Sequence, residues 1–586
     1  MTTTSKLKKE LTLFDVYAIS TGAMFSSGFF LLPGLAAAQT GSSVPLAYLL
    51  AGILILPAML SVAELATAMP RAGGAYYFLD RSMGPMMGTI GGLGTWLALV
   101  LKSAFALLGM GAYMVLFFDI PIEPLAVVLT VLFAAVNIFG AKETTVLQRI
   151  LVSALVSILF FFIAQGVFTV FIAGTVAAPV SGSDPFLLGG LDGLFATVGV
   201  VFVSYAGLTK VASVAEEVHD PDRNIPLGMA LSLLTATAIY VVGAEIMVVA
   251  LEPDMFHSVL TPVAAAGDAV FTWIPKSVGL GLIVVAAIAA FASTGNAGIL
   301  SSSRYPMAMA RDQLMPDAFA RLSRFQTPTL GIVVTALLMI LLIVAFDIRA
   351  VAKLASAFQL MLFGLLSLAV IVMRESRIAY YRPGFRSPFY PWVQIAGMII
   401  PVWLIVEMGW LAILFTAGIV VLGVVWYMLY ARDRVERGGA IYHVFERLGR
   451  RVWRGLDDEL RTIMAEKGLN AEDPLEELVT RADVLDLNDP IAYSDAVHLA
   501  TLSLARTLGI PDHEEIALRI LHQTEQGMVP TTHHAALPHL LVDHLDQPHL
   551  VLVRAPEGLT GYSSESPLFA LFGLMQDAQS DLFMVG

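Results

Sequence analysis

The sequence contains no cysteine. That excludes disulfides and every metal site built on thiolates. Charge is scarce too: 14% of the 586 residues are Asp, Glu, Lys or Arg, while 57% are hydrophobic, and mean hydropathy is +0.77. Soluble domains carry about 25% charged residues, so a chain this apolar calls for a solvent other than water. The formal net charge is −13, and the acidic excess falls mostly after residue 431, which argues against a nucleic-acid partner. The start, with Lys6, Lys8 and Lys9, leads into a long apolar stretch without a small-residue cleavage site, so no cleavable signal peptide is expected. No nucleophile–base pattern points to an enzyme, and no cofactor motif is present.

What the sequence does have is one apolar run after another as far as residue 430. A membrane span needs about 20 mostly apolar residues. Twelve are expected, at 13–37, 44–68, 86–118, 122–139, 148–175, 191–218, 226–251, 277–303, 328–346, 354–373, 390–407 and 410–430. With the N-terminus in the cytoplasm, the inner side collects the basic loop residues, from Lys6, Lys8 and Lys9 through Arg223, Arg304 and Arg311 to Arg432 and Arg434. Only Lys276, Arg349 and Lys353 fall outside. That asymmetry predicts both termini in the cytoplasm.

Two spans carry helix-weakening residues at mid-depth. The first contains Gly22, Ser26, Ser27, Gly28, Pro33 and Gly34; the sixth contains Ser204, Tyr205, Ala206 and Gly207. Unwound backbone at this depth is tolerated only where it lines a cavity. Free N–H groups at a half-helix N-terminus suit a carboxylate, and freed carbonyls suit an ammonium or a cation. A zwitterion fits both. Small-residue packing between helices is the alternative reading, but two clusters five spans apart match the pattern of inverted-repeat transporters.

Several ordered motifs extend this. They are Gly22…Ser26-Ser27-Gly28-Phe29…Pro33, Ala63-Glu64-Leu65…Pro70-Arg71-Ala72-Gly73-Gly74-Ala75-Tyr76, Asn137-Ile-Phe-Gly140-Ala-Lys142, Phe202…Tyr205…Gly207 with Glu216-Glu217-Val218…Pro221…Arg223-Asn224-Ile225-Pro226, and Asn296-Ala297…Ser303-Arg304…Met309-Ala310-Arg311-Asp312…Pro316. Residues 10–430 thereby resemble the amino acid–polyamine–organocation superfamily. The resemblance implies an all-α polytopic membrane protein of 12 transmembrane helices, a 5+5 inverted repeat with broken helices 1 and 6. It implies amino-acid permease activity by alternating access in a bacterial or archaeal cell (inner) membrane. It also assigns the substrate's amino and carboxyl groups to Gly22, Ser26, Ser27 and Gly28 with Ser204, Tyr205, Ala206 and Gly207. Tyr205 stands where relatives place an aromatic that closes the site; an ordinary packed aromatic is the other reading. Ala206 replaces the acidic or polar residue of many relatives, which disfavours a strongly cationic substrate.

Lys102 lies midway along the third span, about 24 Å from either end at 1.5 Å per residue. An ionisable group at that depth is a functional candidate. It can couple transport to protons or stand in for a bound cation; a structural amine bonded to broken-helix carbonyls is the plainer role. Proton-coupled relatives carry a buried lysine on helix 5, and span 5 here has none. Glu245, in the seventh span, is a second proton candidate, a partner for Lys102 or an interface residue. Glu64 is expected to pair with a nearby loop arginine. The Ser293, Thr294 and Ser302 hydroxyls sit where sodium-coupled relatives bind the ion, though bonding back to an i−4 carbonyl is the commoner use.

Beyond a linker at 431–480, with amphipathic stretches such as 450–467, residues 481–586 read as a small α/β cytoplasmic domain. Helices are expected at 491–508 and 512–526 and strands at 533–539, 548–555 and 567–574. The histidines there (His533, His534, His539, His544, His549) lack cysteine companions, and no metal site is assigned. The run Ala482-Asp-Val-Leu-Asp-Leu…Ala535-Ala-Leu-Pro538-His539…Pro548-His-Leu-Val-Leu-Val-Arg554 resembles type-2 enzyme IIA domains of the sugar phosphotransferase system, which places the phospho-acceptor at His539. Gln523 and Thr524 stand where the family has an arginine–glutamate pair, removing the bidentate partner of a phosphohistidine. The resemblance therefore points to a regulatory or dimerising module, with a homodimer as one partner state. The partners expected overall are an amino acid, a proton or cation and the lipid bilayer. A potassium transporter of the same fold and a transport-dead sensor signalling through the tail are the alternatives.

Overall fold

The computed structural model describes residues 11–70, 73–139, 145–173, 185–271, 275–378, 381–435, 438–445, 478–487, 489–508, 513–525, 531–532, 535–542, 549–560 and 568–577. The chain divides into two compact units, residues 1–450 and 451–586.

The first unit is helical. Helix occupies part of each of the twelve apolar stretches. Among the described residues, eight helices are long and apolar enough to cross a membrane, and three further apolar helices (Ile122–Ile138, Thr329–Ala345 and Trp392–Glu407) are shorter. The surface explains the sequence's lack of charge. Large apolar side chains such as Phe160, Ile172, Leu234, Val285 and Leu341 stand exposed along these helices, while Ser, Thr and Asn side chains are buried among them. A surface so apolar is at home in lipid. The unit is a multi-pass membrane protein.

Helix ends depart from the apolar windows wherever charge sits on a helix that continues. Lys276–Arg311 carries Arg304 and Arg311 on its last turns, and Ile348–Ser376 begins early enough to hold Arg349 and Lys353. Three short helices, Gly74–Met83, Pro253–Ser258 and Pro262–Val270, fold in stretches read as loops.

The first span is cut in three. Helix Leu13–Met24 starts where the Asp15 carboxylate accepts bonds from the Thr12 N–H and hydroxyl, both at 2.8 Å. It stops at Phe25 (φ −75°, ψ 81°) and Ser26 (φ −145°, ψ −115°). The chain resumes as Ser27–Phe30 and Leu32–Thr40. The sixth span is handled differently. Gly190–Val201 tightens into a 3₁₀ turn at Phe202–Tyr205 and continues as Gly207–Ser213. A main-chain bridge joins the two spans at one end: the Leu11 N–H donates to the Glu217 carbonyl (3.0 Å), and the His219 N–H donates to the Leu11 carbonyl (2.8 Å).

The start of the expected linker folds with this unit. Residues 441–445 form a helical turn, and the Ala440 N–H donates to the Arg81 carbonyl at 3.0 Å. The amphipathic stretch 450–467 lies outside the described residues.

In the second unit, helices Tyr493–Leu508 and His513–Glu525 share an apolar core with the sheet, built on Val497, Leu504, Ile520, Val551 and Val553. The strands are β1 (Asp483–Asp486), β2 (Ile491–Ala492), β3 (Thr531–Thr532), β4 (Ala535–Ala536), β5 (His539–Val542), β6 (His549–Thr560) and β7 (Leu568–Asp577). The order is β1-β6-β7-β4-β3, with β2 on β6 and β5 on β7. β6 and β7 run antiparallel, and β1 is parallel to β6.

Candidate functional site

The break in the first span leaves backbone groups that must find partners outside their helix. Helix Leu13–Met24 ends in carbonyls on one side of the break, Gly28 offers another on the far side, and three side chains from other spans answer them. Lys102 Nζ, from helix Pro85–Met114, donates to the Ala23 carbonyl at 2.8 Å. The Tyr240 hydroxyl, from helix Pro221–Ala250, donates to Met24 O at 2.8 Å and lies 3.3 Å from Ser204 O. The Tyr48 hydroxyl donates to Gly28 O at 2.7 Å. Three phenolic rings crowd the same place: Tyr240 lies 5.1 Å from Tyr48 and 5.4 Å from Tyr205 between ring centres, with Phe25 edge-on at 5.5 Å.

Of the positions expected from the sequence, Gly28 and Ser204 meet here. Ser26, Ser27, Gly28, Ser204, Tyr205, Ala206 and Gly207 are all buried. A Cβ added to Gly28 would stand 2.7 Å from Ser204 Cβ and Oγ; one added to Gly207 would strike the Ser20 carbonyl and approach Met24. The two spans therefore touch backbone to backbone across their irregular turns, and only glycine permits that approach. Close packing and an opened backbone are both present. Gly22 is used otherwise, abutting the Val152 side chain. The hydroxyls of Ser20, Thr21 and Ser26 are buried without a hydrogen-bond partner among the described residues, an arrangement that costs about 1–3 kcal/mol each unless something else supplies the bond.

Tyr205 is fully buried, and its hydroxyl donates to the Tyr48 carbonyl at 2.8 Å. Its ring is packed against Tyr240, so in this conformation it is a core aromatic. In the sixth span one hydroxyl repairs the irregular turn: Ser356 Oγ accepts from Val203 N–H at 3.2 Å and donates to the Val200 carbonyl.

Lys102 thus reaches the broken helix from span 3. Glu245 does not meet it. That carboxyl is half-buried on helix Pro221–Ala250 and forms no hydrogen bond or ion pair with Lys102 among the described residues. Lys210, on Gly207–Ser213, is close enough for its charge to act on Lys102. Lys210 lies inside the expected sixth span (191–218), eight residues from its end, and was not singled out in the sequence. Tyr48 and Tyr240 were likewise missed; nothing in a single sequence separates a carbonyl-capping tyrosine from a packed one. Ser302 Oγ bonds back to Gly298 O at 2.7 Å.

A second polar centre lies at the ends of two spans. Glu64 has no exposed side-chain surface, and it accepts from Arg374 Nε (2.7 Å) and Nη2, the Tyr381 hydroxyl (3.1 Å) and the Ser387 N–H (2.8 Å). Its arginine is on the last turn of helix Ile348–Ser376 rather than in a loop. Burial, reinforced by the Glu64 charge, holds the Tyr381 hydroxyl well above the ordinary phenol range. A buried carboxylate with four donors is an ion pair that is fully hydrogen-bonded, the condition under which such a pair is tolerated. In the second unit His539 begins β5, in register with Leu574 of β7; His533, His534 and His544 lie outside the described residues.

Comparison with known proteins places this geometry. A cationic amino acid transporter 2 of Arabidopsis thaliana, vacuolar, is 30% identical over 63% of this chain and 60% of its own length. A second Arabidopsis transporter, cationic amino acid transporter 4, is 29% identical, with 64% of its length covered. The chain spans less than two thirds of these relatives. The branched-chain amino acid permease BcaP of Bacillus subtilis is 26% identical over 73% of this chain and 94% of its own length. Residues 11–444 match the family described as amino acid permease. The match begins at the bridge residue Leu11, takes in both irregular spans and ends within the turn that follows Ala440: this chain belongs to the amino acid permease family.

Proposed function

We propose that the protein is a secondary active transporter of amino acids, working by alternating access and driven by protons. The carrying observation is the break at Phe25–Ser26 with Lys102 Nζ on the Ala23 carbonyl. A cation held on a freed carbonyl is what a coupling ion would supply at a broken helix. An amine supplies that charge only while protonated; the neutral amine donates more weakly, so loss of the proton would slacken the hold on Ala23 and loosen the first span. Proton movement and helix movement then share one hydrogen bond.

The substrate we assign is a neutral α-amino acid. Its carboxylate would meet the buried serine hydroxyls and N–H groups after the break, and its ammonium the carbonyls before it. The rings of Phe25 and Tyr240, together with Ala206, offer an apolar surface to the side chain. Lys102 and Lys210 would repel a cationic one, a form of discrimination by disfavouring the wrong ligand. The branched-chain permease among the relatives fits this assignment better than the cationic transporters do. The wider scheme has twelve spans in a 5+5 inverted repeat, both termini cytoplasmic, and residues 481–586 as a regulatory or dimerising module. It rests on the loop charges and the two irregular spans.

The test is uptake of labelled amino acids into proteoliposomes, with and without an inward proton gradient, for the wild type and Lys102→Ala. Gradient-driven uptake of neutral amino acids that is lost or uncoupled in the variant supports the proposal. Uptake of lysine or arginine in preference would overturn the substrate assignment, and no uptake of any amino acid by folded protein would overturn the function.

A further inference from the structure

The Glu64 centre borders a cavity that transport does not account for. It encloses about 270 Å³ and is lined by Glu64, Arg374, Arg377, Arg386, Tyr381 and Pro383, among others. One carboxylate faces three guanidinium groups there, and Glu64 is already committed to Arg374. The side chains of Arg377 and Arg386 form no ion pair or hydrogen bond with any described residue, and both are exposed. Asp222 packs against Gly384 but does not line the cavity. The cavity is therefore cationic, and two of its cations are unspent.

Its surroundings say where the counter-charge comes from. Phe389 and Trp392 are exposed (80% and 73%) beside Tyr390, over whose ring Arg374 sits at 4.5 Å. Trp392 opens the apolar helix Trp392–Glu407, and Arg377 directly follows the apolar helix Ile348–Ser376. Exposed aromatic residues at the ends of apolar helices sit at headgroup depth. A guanidinium fork matches two phosphate oxygens at once. Basic pockets between spans at this level take phosphate headgroups.

We propose that this cavity binds the phosphate of an anionic phospholipid headgroup through Arg377 and Arg386, while the Glu64–Arg374 pair forms its fixed wall. The site would belong to the cytoplasmic leaflet; that clause rests on the orientation proposed above, whereas the binding itself does not.

The test uses the full-length purified protein and reads binding rather than transport. Thermal unfolding is followed in neutral detergent on titration with short-chain phosphatidylglycerol, with short-chain phosphatidylcholine, and with inorganic phosphate. Arg377→Gln/Arg386→Gln is compared with Arg377→Lys/Arg386→Lys and with Arg324→Gln, an arginine outside the cavity. Phosphatidylglycerol should stabilise the wild type and phosphatidylcholine should not. The double glutamine variant should bind phosphatidylglycerol more weakly by about fivefold for each arginine removed, with the lysine variant in between and Arg324→Gln unchanged. Stabilisation by inorganic phosphate equal to that by phosphatidylglycerol would move the site from lipid to a soluble phosphate and overturn the lipid source. Equal phosphatidylglycerol binding by the wild type and the glutamine variant would overturn the site. A glutamine variant that unfolds before titration leaves the decision to the lysine variant, whose binding must then fall below that of wild type.

Discussion

The first and sixth spans both lose regular helix at mid-depth, yet they lose it in different ways. The first is cut at Phe25–Ser26, and its freed groups are met by Lys102, Tyr240 and Tyr48 from three other helices. The sixth is only tightened to a 3₁₀ turn, and one hydroxyl, Ser356, mends it. A 3₁₀ segment inside a helix is a common hinge. Under the proposed function, a full break with unpartnered hydroxyls nearby is where the ligand would sit. The two spans would then divide the work: the first would offer the chemistry, and the sixth the bend and the close backing.

The contact between them gives the strongest way to break that division. Gly207→Val would drive a side chain into the Ser20 carbonyl, backbone that cannot yield cheaply. It should cost about 3 kcal/mol and abolish uptake; a variant that unfolds at the wild-type temperature would show the approach to be unnecessary. Lys102→Ala comes next. Hydrogen bonds to charged groups are worth about 1.5–3 kcal/mol, so gradient-driven uptake should fall about 10- to 100-fold. Gradient-independent exchange of substrate should survive in part. If driven uptake and exchange fall together, Lys102 is structural.

Ser356→Ala tests the sixth span alone. Loss of its bonds should cost about 1 kcal/mol and slow turnover several-fold with KM little changed. A raised KM at unchanged turnover would mean that this turn binds substrate rather than bends. Ser26→Ala should destabilise nothing and raise stability by about 1 kcal/mol, because its buried hydroxyl has no partner among the described residues to lose. Its KM should nonetheless rise, and an unchanged KM would remove Ser26 from the site.

Much of the membrane unit was legible in the sequence, because apolar run length and helix-weakening residues report directly on lipid and on irregular backbone. Gly28 meets Ser204, and Gly207 meets Ser20 and Met24, so the glycines of the two irregular spans lie where those spans touch. Lys102 was found because a charge at mid-span is rare, although its carbonyl partner was not named. Less was legible where the signal is shared with ordinary packing. Tyr240 and Tyr48 look like any core tyrosine until the carbonyls they cap are seen. Helix Gly74–Met83 was read as a loop because its charges, Asp80 and Arg81, hide a helical pattern in a short stretch. Lys210, inside the expected sixth span, was not singled out.

One feature of the backbone bears on motion. The bridge between Leu11 and the stretch Glu217–His219 yokes the start of the first span to the exit of the sixth. Two doors hung on one latch cannot open out of step. Either the end segments of both broken helices swing together, or two main-chain hydrogen bonds part before either moves. In the proposed alternating-access cycle, intermediate postures with one segment open and the other shut would be scarce, and the stroke would be biased toward a single concerted event.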